Sequence, residues 1–220
     1  MEKKEFYRHY LPHYQQSGQA FFVTWCLKDA IPPKALLSYT QKLEVLNSQI
    51  EFYKKEKSGK SIIEELEQEY HTIRSKYIKA YDDLLDAEQN PVINLSKPEN
   101  NEILIGSLKF WEGKRLNNYA FTIMSNHIHW VFEVLEKDDQ GNPVYLQDLL
   151  QSVKRFSANR INKLENMEGR LWQKESFDTT IRDEKHLYYA IKYTLNNPVA
   201  AGLVPDWKLW PGTFCGSSDF

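Results

Sequence analysis

Tyr119–Val134, YAFTIMSNHIHWVFEV, is the stretch on which the fold turns. A tight turn at Ser125-Asn126 splits it into two β-strands. In the second strand Ile128, Trp130, Phe132 and Val134 fall on one face, and His127, His129, Val131 and Glu133 on the other. The wholly apolar face must be buried, which predicts a central strand. The other face presents two imidazoles two residues apart. A neutral imidazole keeps one nitrogen lone pair, so the two together make a bidentate donor for a divalent metal. Taken alone, His-x-His describes two half-exposed histidines at a strand start just as well, and the pattern by itself does not choose.

Upstream, Ala20–Leu27 (AFFVTWCL) is aromatic and β-branched and reads as a strand, closed by Pro32-Pro33. Residues 34–92 differ in character. Leu36, Leu43, Leu46, Ile50 and Tyr53 keep helical spacing up to a break at Ser58-Gly59, and Ser61 to Glu64 has the pattern of a capping box. Beyond it Ile62, Leu66, Tyr70, Ile73, Tyr77, Leu84 and Leu85 form an apolar stripe. The prediction is an inserted helical hairpin, either packed on itself or serving as a partner surface, a homodimer contact included. A short helix is expected over 99–111, a helix over 145–164, a strand over 171–182, and a last helix from Glu184 to about Asn196, stopped by Pro198. Strand, helix, two strands, helix and strand spell the β-α-β-β-α-β order. That predicts an α+β protein, a ferredoxin-like antiparallel sheet with helices on one face, plus the inserted hairpin. The expected division is 1–33 (N-terminal segment and first strand), 34–92 (hairpin) and 93–220 (the rest of the main domain).

The 220 residues carry a formal charge of −2, which excludes nucleic-acid binding by bulk charge. Residues 42–90 are net acidic and the remainder slightly basic, so any polyanion path must be local. The N-terminal segment mixes Lys3, Lys4, Arg8, His9 and His13 with aromatic residues, a composition able to lie along nucleic acid or to pack on the domain. Helix 145–164 carries Lys154, Arg155 and Lys163 on its outer side and margins. Two cysteines are too few for a disulfide framework. No apolar run approaches about 18 residues. The expectation is a reduced, cytoplasmic protein with no membrane partner.

In the last helix Tyr189, Tyr193 and Asn197 are spaced four apart and share a face, while Leu187, Ile191 and Leu195 share another. An amide oxygen can ligate a hard metal, and spacing leaves either tyrosine as its neighbour.

Three segments together, MSNHIHWVF (124–132), LWQKESFDTTIRDEKHL (171–187) and YTLNNPVAAGLV (193–204), resemble the REP-associated tyrosine transposases, which are HUH single-strand DNA transposases of insertion sequences. The likeness covers about residues 18–31 and 99–211, with the motifs in the family's order. It implies a Mg²⁺ or Mn²⁺ cofactor on His127 and His129, with Asn197 as the third ligand and Tyr193 as nucleophile. The implied reaction is cleavage and rejoining of single-stranded or hairpin DNA through a 5′-phosphotyrosine. A phenol, with a pKa of about 10, is mostly protonated at neutral pH and needs such help. The expected DNA path runs along Lys154, Arg155, Arg160, Lys174 and Arg182. The rival reading is a catalytically idle DNA-binding protein of the same fold that recruits a partner through its hairpin. The chain departs from the family in its insertion at 34–92, in Gly212-Thr213-Phe214 where the family often has Trp-Ser-Ser, and in its lack of net positive charge.

Overall fold

The computed structural model describes residues 6–8, 12–14, 18–32, 34–57, 59–87, 91–174 and 176–216. Lys3, Lys4, His9 and Ser58, which figured in the sequence reading, lie outside them. The chain divides into two units, one of residues 1–28 and 89–220 and the other of residues 29–88.

The larger unit begins with a small antiparallel pair, β1 (Phe6–Arg8) and β2 (Pro12–Tyr14). Its main sheet holds β3 (Ala20–Cys26), β4 (Leu116–Ile123), β5 (His127–Val134), β6 (Phe177–Thr180) and β7 (Thr213–Cys215). Their spatial order is β6-β3-β5-β4-β7, and every neighbouring pair is antiparallel. The helices are α3 (Pro98–Lys109), α4 (Leu146–Leu164) and α5 (Glu184–Ala200). The fold is α+β. β5 lies at the centre, paired on both edges, and Ile128, Trp130 and Phe132 of its apolar face are wholly buried.

The two faces of the sheet are covered by different helices. On the Trp130 face, Trp25 meets Trp130 and Trp172 edge to face, at 5.9 and 6.2 Å between ring centres. The Trp172 indole donates to the Lys154 carbonyl of α4. Asn118 bridges the same face to α3: its amide donates to the Leu108 carbonyl, and its oxygen accepts from the Trp130 indole. A register shift between Asn118 and Ala120 then turns β4 over. Asn118 therefore faces α3, whereas Ala120 and Thr122 face the opposite side with Val131 and His129. There α5 lays Ala190, Ile191 and Leu195 on Ala120 and Val131. The expectation of helices on one face thus describes α3 and α4, while α5 occupies the other. The reason is that the histidine face of β5 is apolar again at Val131 and needs its own cover.

Other differences have local causes. Pro198 does not stop α5, which runs on to Ala200. Proline at that position leaves the Thr194 carbonyl without its i+4 donor, and the Thr122 hydroxyl supplies one at 2.8 Å. The stretch 171–182 is not one strand: Trp172 makes an isolated bridge with Leu27, and only Phe177–Thr180 joins the ladder. The C-terminal stretch, expected to be irregular, adds β7 beside β4, held by the Trp210 indole donating to the Ile123 carbonyl.

The smaller unit holds α1 (Leu37–Lys55) and α2 (Lys60–Ala87). Leu43, Leu46 and Ile50 of α1 and Tyr77, Tyr81 and Leu85 of α2 are buried. Tyr39 and Tyr77 meet across the pair at 6.1 Å. Ser61 falls in the first turn of α2 and not before it, so it does not cap the helix. The exposed ion pairs Lys42–Glu69 and Lys54–Glu67 contribute little, since such pairs are typically worth under about 1 kcal/mol. Among the described residues no helix is long and apolar enough to cross a membrane.

Candidate active site

The Ser125-Asn126 turn delivers His127 and His129 to the start of β5 with both rings toward α5. Each is only 1 % exposed, not half-exposed, because α5 closes over them. Neighbouring groups set their orientation. The Asn126 side-chain oxygen lies 2.6 Å from His127 Nδ1, and Thr24 Oγ1 lies 2.8 Å from His129 Nδ1. A carbonyl oxygen only accepts, so His127 carries its proton on Nδ1 and its lone pair on Nε2. The Asn197 amide nitrogen, 3.1 Å from His129 Nε2, donates to a lone pair there, which assigns the same tautomer to His129. The two Nε2 atoms then face each other at 3.1 Å.

Facing lone pairs repel unless something electropositive lies between them. Protonation is resisted. Burial lowers the pKa of His127 to about 3, only partly opposed by the neighbouring Asn197 side chain. Burial, with the charge of His127, holds His129 well below the ordinary value. Both rings are therefore neutral donors at pH 7. Two nitrogens bonded to one ion at about 2.1 Å lie about 3 Å apart when the bonds are near a right angle, which matches the observed gap.

A second sign comes from Asn197, 5 % exposed, whose oxygen is buried without a hydrogen-bond partner. With an ion between the histidines, a half-turn of the amide, which exchanges oxygen for nitrogen, would turn that oxygen toward it. The polar groups against the two rings are the Asn126 and Asn197 amides and the Thr24 hydroxyl.

Tyr193 lies one turn before Asn197. Its ring stands edge-on to His129 at 5.3 Å and to Phe22 at 5.8 Å, and 41 % of its surface is open. Phe22 in turn stacks on His129 at 5.7 Å, so one ring of β3 braces both. Tyr189 is more exposed, and its ring packs edge-on against Tyr188. The structure brings His127, His129, Tyr193 and Asn197 together.

It does not bring all five cations to them. Lys154, Arg155 and Arg160 ride on α4, across the sheet from the histidines, and the Lys154 ammonium donates to the Gln173 carbonyl. Lys174 and Arg182 are exposed, Arg182 just ahead of the Asp183 cap of α5. Phe22, Thr24, Thr122 and Asn126 were missed in the sequence. The even-numbered side of β3 was the available signal for the first two.

The site is thus a buried histidine pair on the central strand of an antiparallel sheet, beneath a helix bearing tyrosine and asparagine. The chain is similar to "Putative REP-associated tyrosine transposase" of Haemophilus influenzae, 29% identical over 99 residues. That match takes in 42% of this chain and 54% of the relative, so the chain spans about half the length of the protein it matches. No family model matches. A solved structure of a REP-associated tyrosine transposase bound to a REP hairpin aligns over 97% of this chain and 82% of its own, with 14% identity and a TM-score of 0.45. That likeness is too loose to carry weight.

Proposed function

We propose that the chain is a metal-dependent tyrosine transposase that cleaves and rejoins single-stranded or hairpin DNA. The observation that carries this reading is the convergence of two buried histidine Nε2 atoms and the Asn197 side-chain amide beside an accessible phenol. His127, His129 and Asn197 would hold the ion. A Mg²⁺ or Mn²⁺ there supplies Lewis-acid polarisation of a phosphate oxygen and offsets the charge that develops on it.

The protein's own groups do the rest. Phe22 and His129 hold the Tyr193 ring on two sides, which fixes the direction of its hydroxyl before substrate arrives. Tyr193 Oη forms a bond to phosphorus as the bond from phosphorus to the 3′ oxygen breaks. The phenol proton leaves to solvent, which reaches this half-open side chain, and the 3′ oxygen takes up a proton. One phosphodiester replaces another, so rejoining by the reverse attack needs no nucleotide cofactor. Lys174 and Arg182, exposed and outside α4, suit the phosphates of the reacting strand. Lys154, Arg155 and Arg160 suit DNA reaching the other side of the sheet.

Incubation of the protein with labelled single-stranded oligonucleotides and Mn²⁺ tests the reading. An SDS-resistant protein–DNA band that EDTA abolishes is expected. Cleavage that proceeds with no such band would replace the transferase reading with a hydrolytic one.

A further inference from the structure

α1 is apolar on two sides. Leu43, Leu46 and Ile50 are buried in the hairpin, but Val45 and Phe52 are 58 % and 59 % exposed. Between them on the outer side stand Ser48 and Gln49, both exposed. Val45, Ser48, Gln49 and Phe52 are spaced i, i+3, i+4 and i+7, which sets them at the corners of one diamond on the helix surface. Four residues so placed form the hole into which a side chain of a facing helix inserts. A hollow does lie there, lined by these four together with Glu44 and Tyr53. Ser48 is the smallest of the four and leaves it room. Its hydroxyl already donates to the Glu44 carbonyl at 2.8 Å, so a ring can cover it without stranding a polar group. The matching knob is on the same face. Phe52 stays largely exposed although Tyr53 stands edge-on to it at 5.4 Å.

We infer that this face of α1 is the contact of a symmetric dimer, in which Phe52 of each copy fills the hole of the other at Ser48. A face that carries both knob and hole is self-complementary, which a two-fold interface requires. Charge sets the direction of the helices. Parallel and in register, Phe52 would meet Phe52, and Glu44 and Lys55 would each meet their own kind. Antiparallel, with Phe52 opposite Ser48, Val45 falls opposite Lys55, and Glu44 lies along the same margin. The lysine stem can cover the valine while its ammonium reaches the carboxylate. Glu51 shares that margin, one turn from Lys55 of its own helix, and Glu56 lies on the opposite margin. Lys42 and Lys54 are engaged with Glu69 and Glu67 of α2. One helix face is a small interface, below the roughly 1,200 Å² of stable complexes, so the dimer should exchange with monomer and build up with concentration. The inference does not rest on the DNA reading.

Sedimentation velocity of the full chain, without DNA or metal, over a concentration series reaching the high micromolar range tests it. Wild type is expected to pass from monomer to dimer. Phe52→Ala should raise the dissociation constant about tenfold or more, as loss of a central aromatic anchor does. Lys55→Glu should weaken the dimer by setting carboxylates together, and Glu44→Lys with Lys55→Glu should recover most of the loss. Phe52 is largely exposed, so Phe52→Ala in dilute solution should keep the wild-type thermal midpoint, which separates lost pairing from lost folding. If wild type stays monomeric throughout, the inference is wrong and the face is left for a helix of another protein. Dimers that neither Phe52→Ala nor Lys55→Glu alters would form through another surface and overturn it equally. A double reversal that recovers nothing would overturn the antiparallel pairing.

Discussion

His127 and His129 are neutral at pH 7 because they are buried, and that fixes their response to acid. In metal-free protein the folded His127 refuses a proton until about pH 3, whereas the unfolded chain takes one near the ordinary value of 6.5. Between those limits the unfolded state binds more protons, so this contribution to stability is full above about pH 6.5 and is lost as pH falls. Denaturant titrations of metal-free wild type should lose stability with falling pH faster than His127→Gln; equal slopes would contradict the burial argument. His127→Ala or His129→Ala should abolish Mn²⁺ binding by calorimetry and cleavage with it, while Asn197→Ala should weaken both less, since an amide is the poorest of the three donors. Wild-type cleavage by either histidine variant would remove the metal role. The alternation of HIHWVF made the shared face of the two histidines legible in the sequence. Their burial was not, because it depends on a helix that begins 55 residues downstream of His129. Nor were Asn126 and Thr24, which set the tautomers and become neighbours only through the turn and the β3–β5 register.

At the scale of the element, α5 is tied to the sheet by a defect. Pro198 removes a helical N–H, and Thr122 of β4 replaces it at the Thr194 carbonyl. Thr122→Val should therefore cost about 1–3 kcal/mol, the usual penalty for a buried acceptor left unpaired. Pro198→Ala restores the intrahelical donor, so the double variant should lose clearly less than the sum of the singles in urea titrations. Additive losses would show that the two do not share that carbonyl. This bond also holds Tyr193 and Asn197 over the histidines. Sequence rules predicted that Pro198 ends the helix, because they know proline's missing donor but not the threonine waiting on another strand. The same limit hid β7, whose three residues are strand only because β4 offers them an edge.

For the whole molecule, the order of elements was legible throughout the main sheet, and the five-stranded arrangement follows from it with one added edge strand. What the order could not show was that β4 changes face at Tyr119, or that α5 and α4 lie on opposite sides, which separates the tyrosine from three of the five residues of the expected DNA path. Residues 29–88 form their own unit. Replacing residues 38–90 by a short Gly/Ser linker should accordingly leave a soluble protein that still binds Mn²⁺; precipitation would show that the hairpin covers the main domain. A change from dimer to monomer on its removal would make it an interface. The central claim is that Tyr193, held by Phe22 and His129 one turn from Asn197, is the group that attacks DNA. The most direct measurement is peptide mapping of the covalent adduct trapped with a single-stranded oligonucleotide and Mn²⁺, on wild type and on Tyr193→Phe. The account predicts DNA on the Tyr193 phenol in wild type and no adduct in Tyr193→Phe, which still binds DNA. DNA attached at Tyr189, or an adduct that survives in Tyr193→Phe, would contradict it.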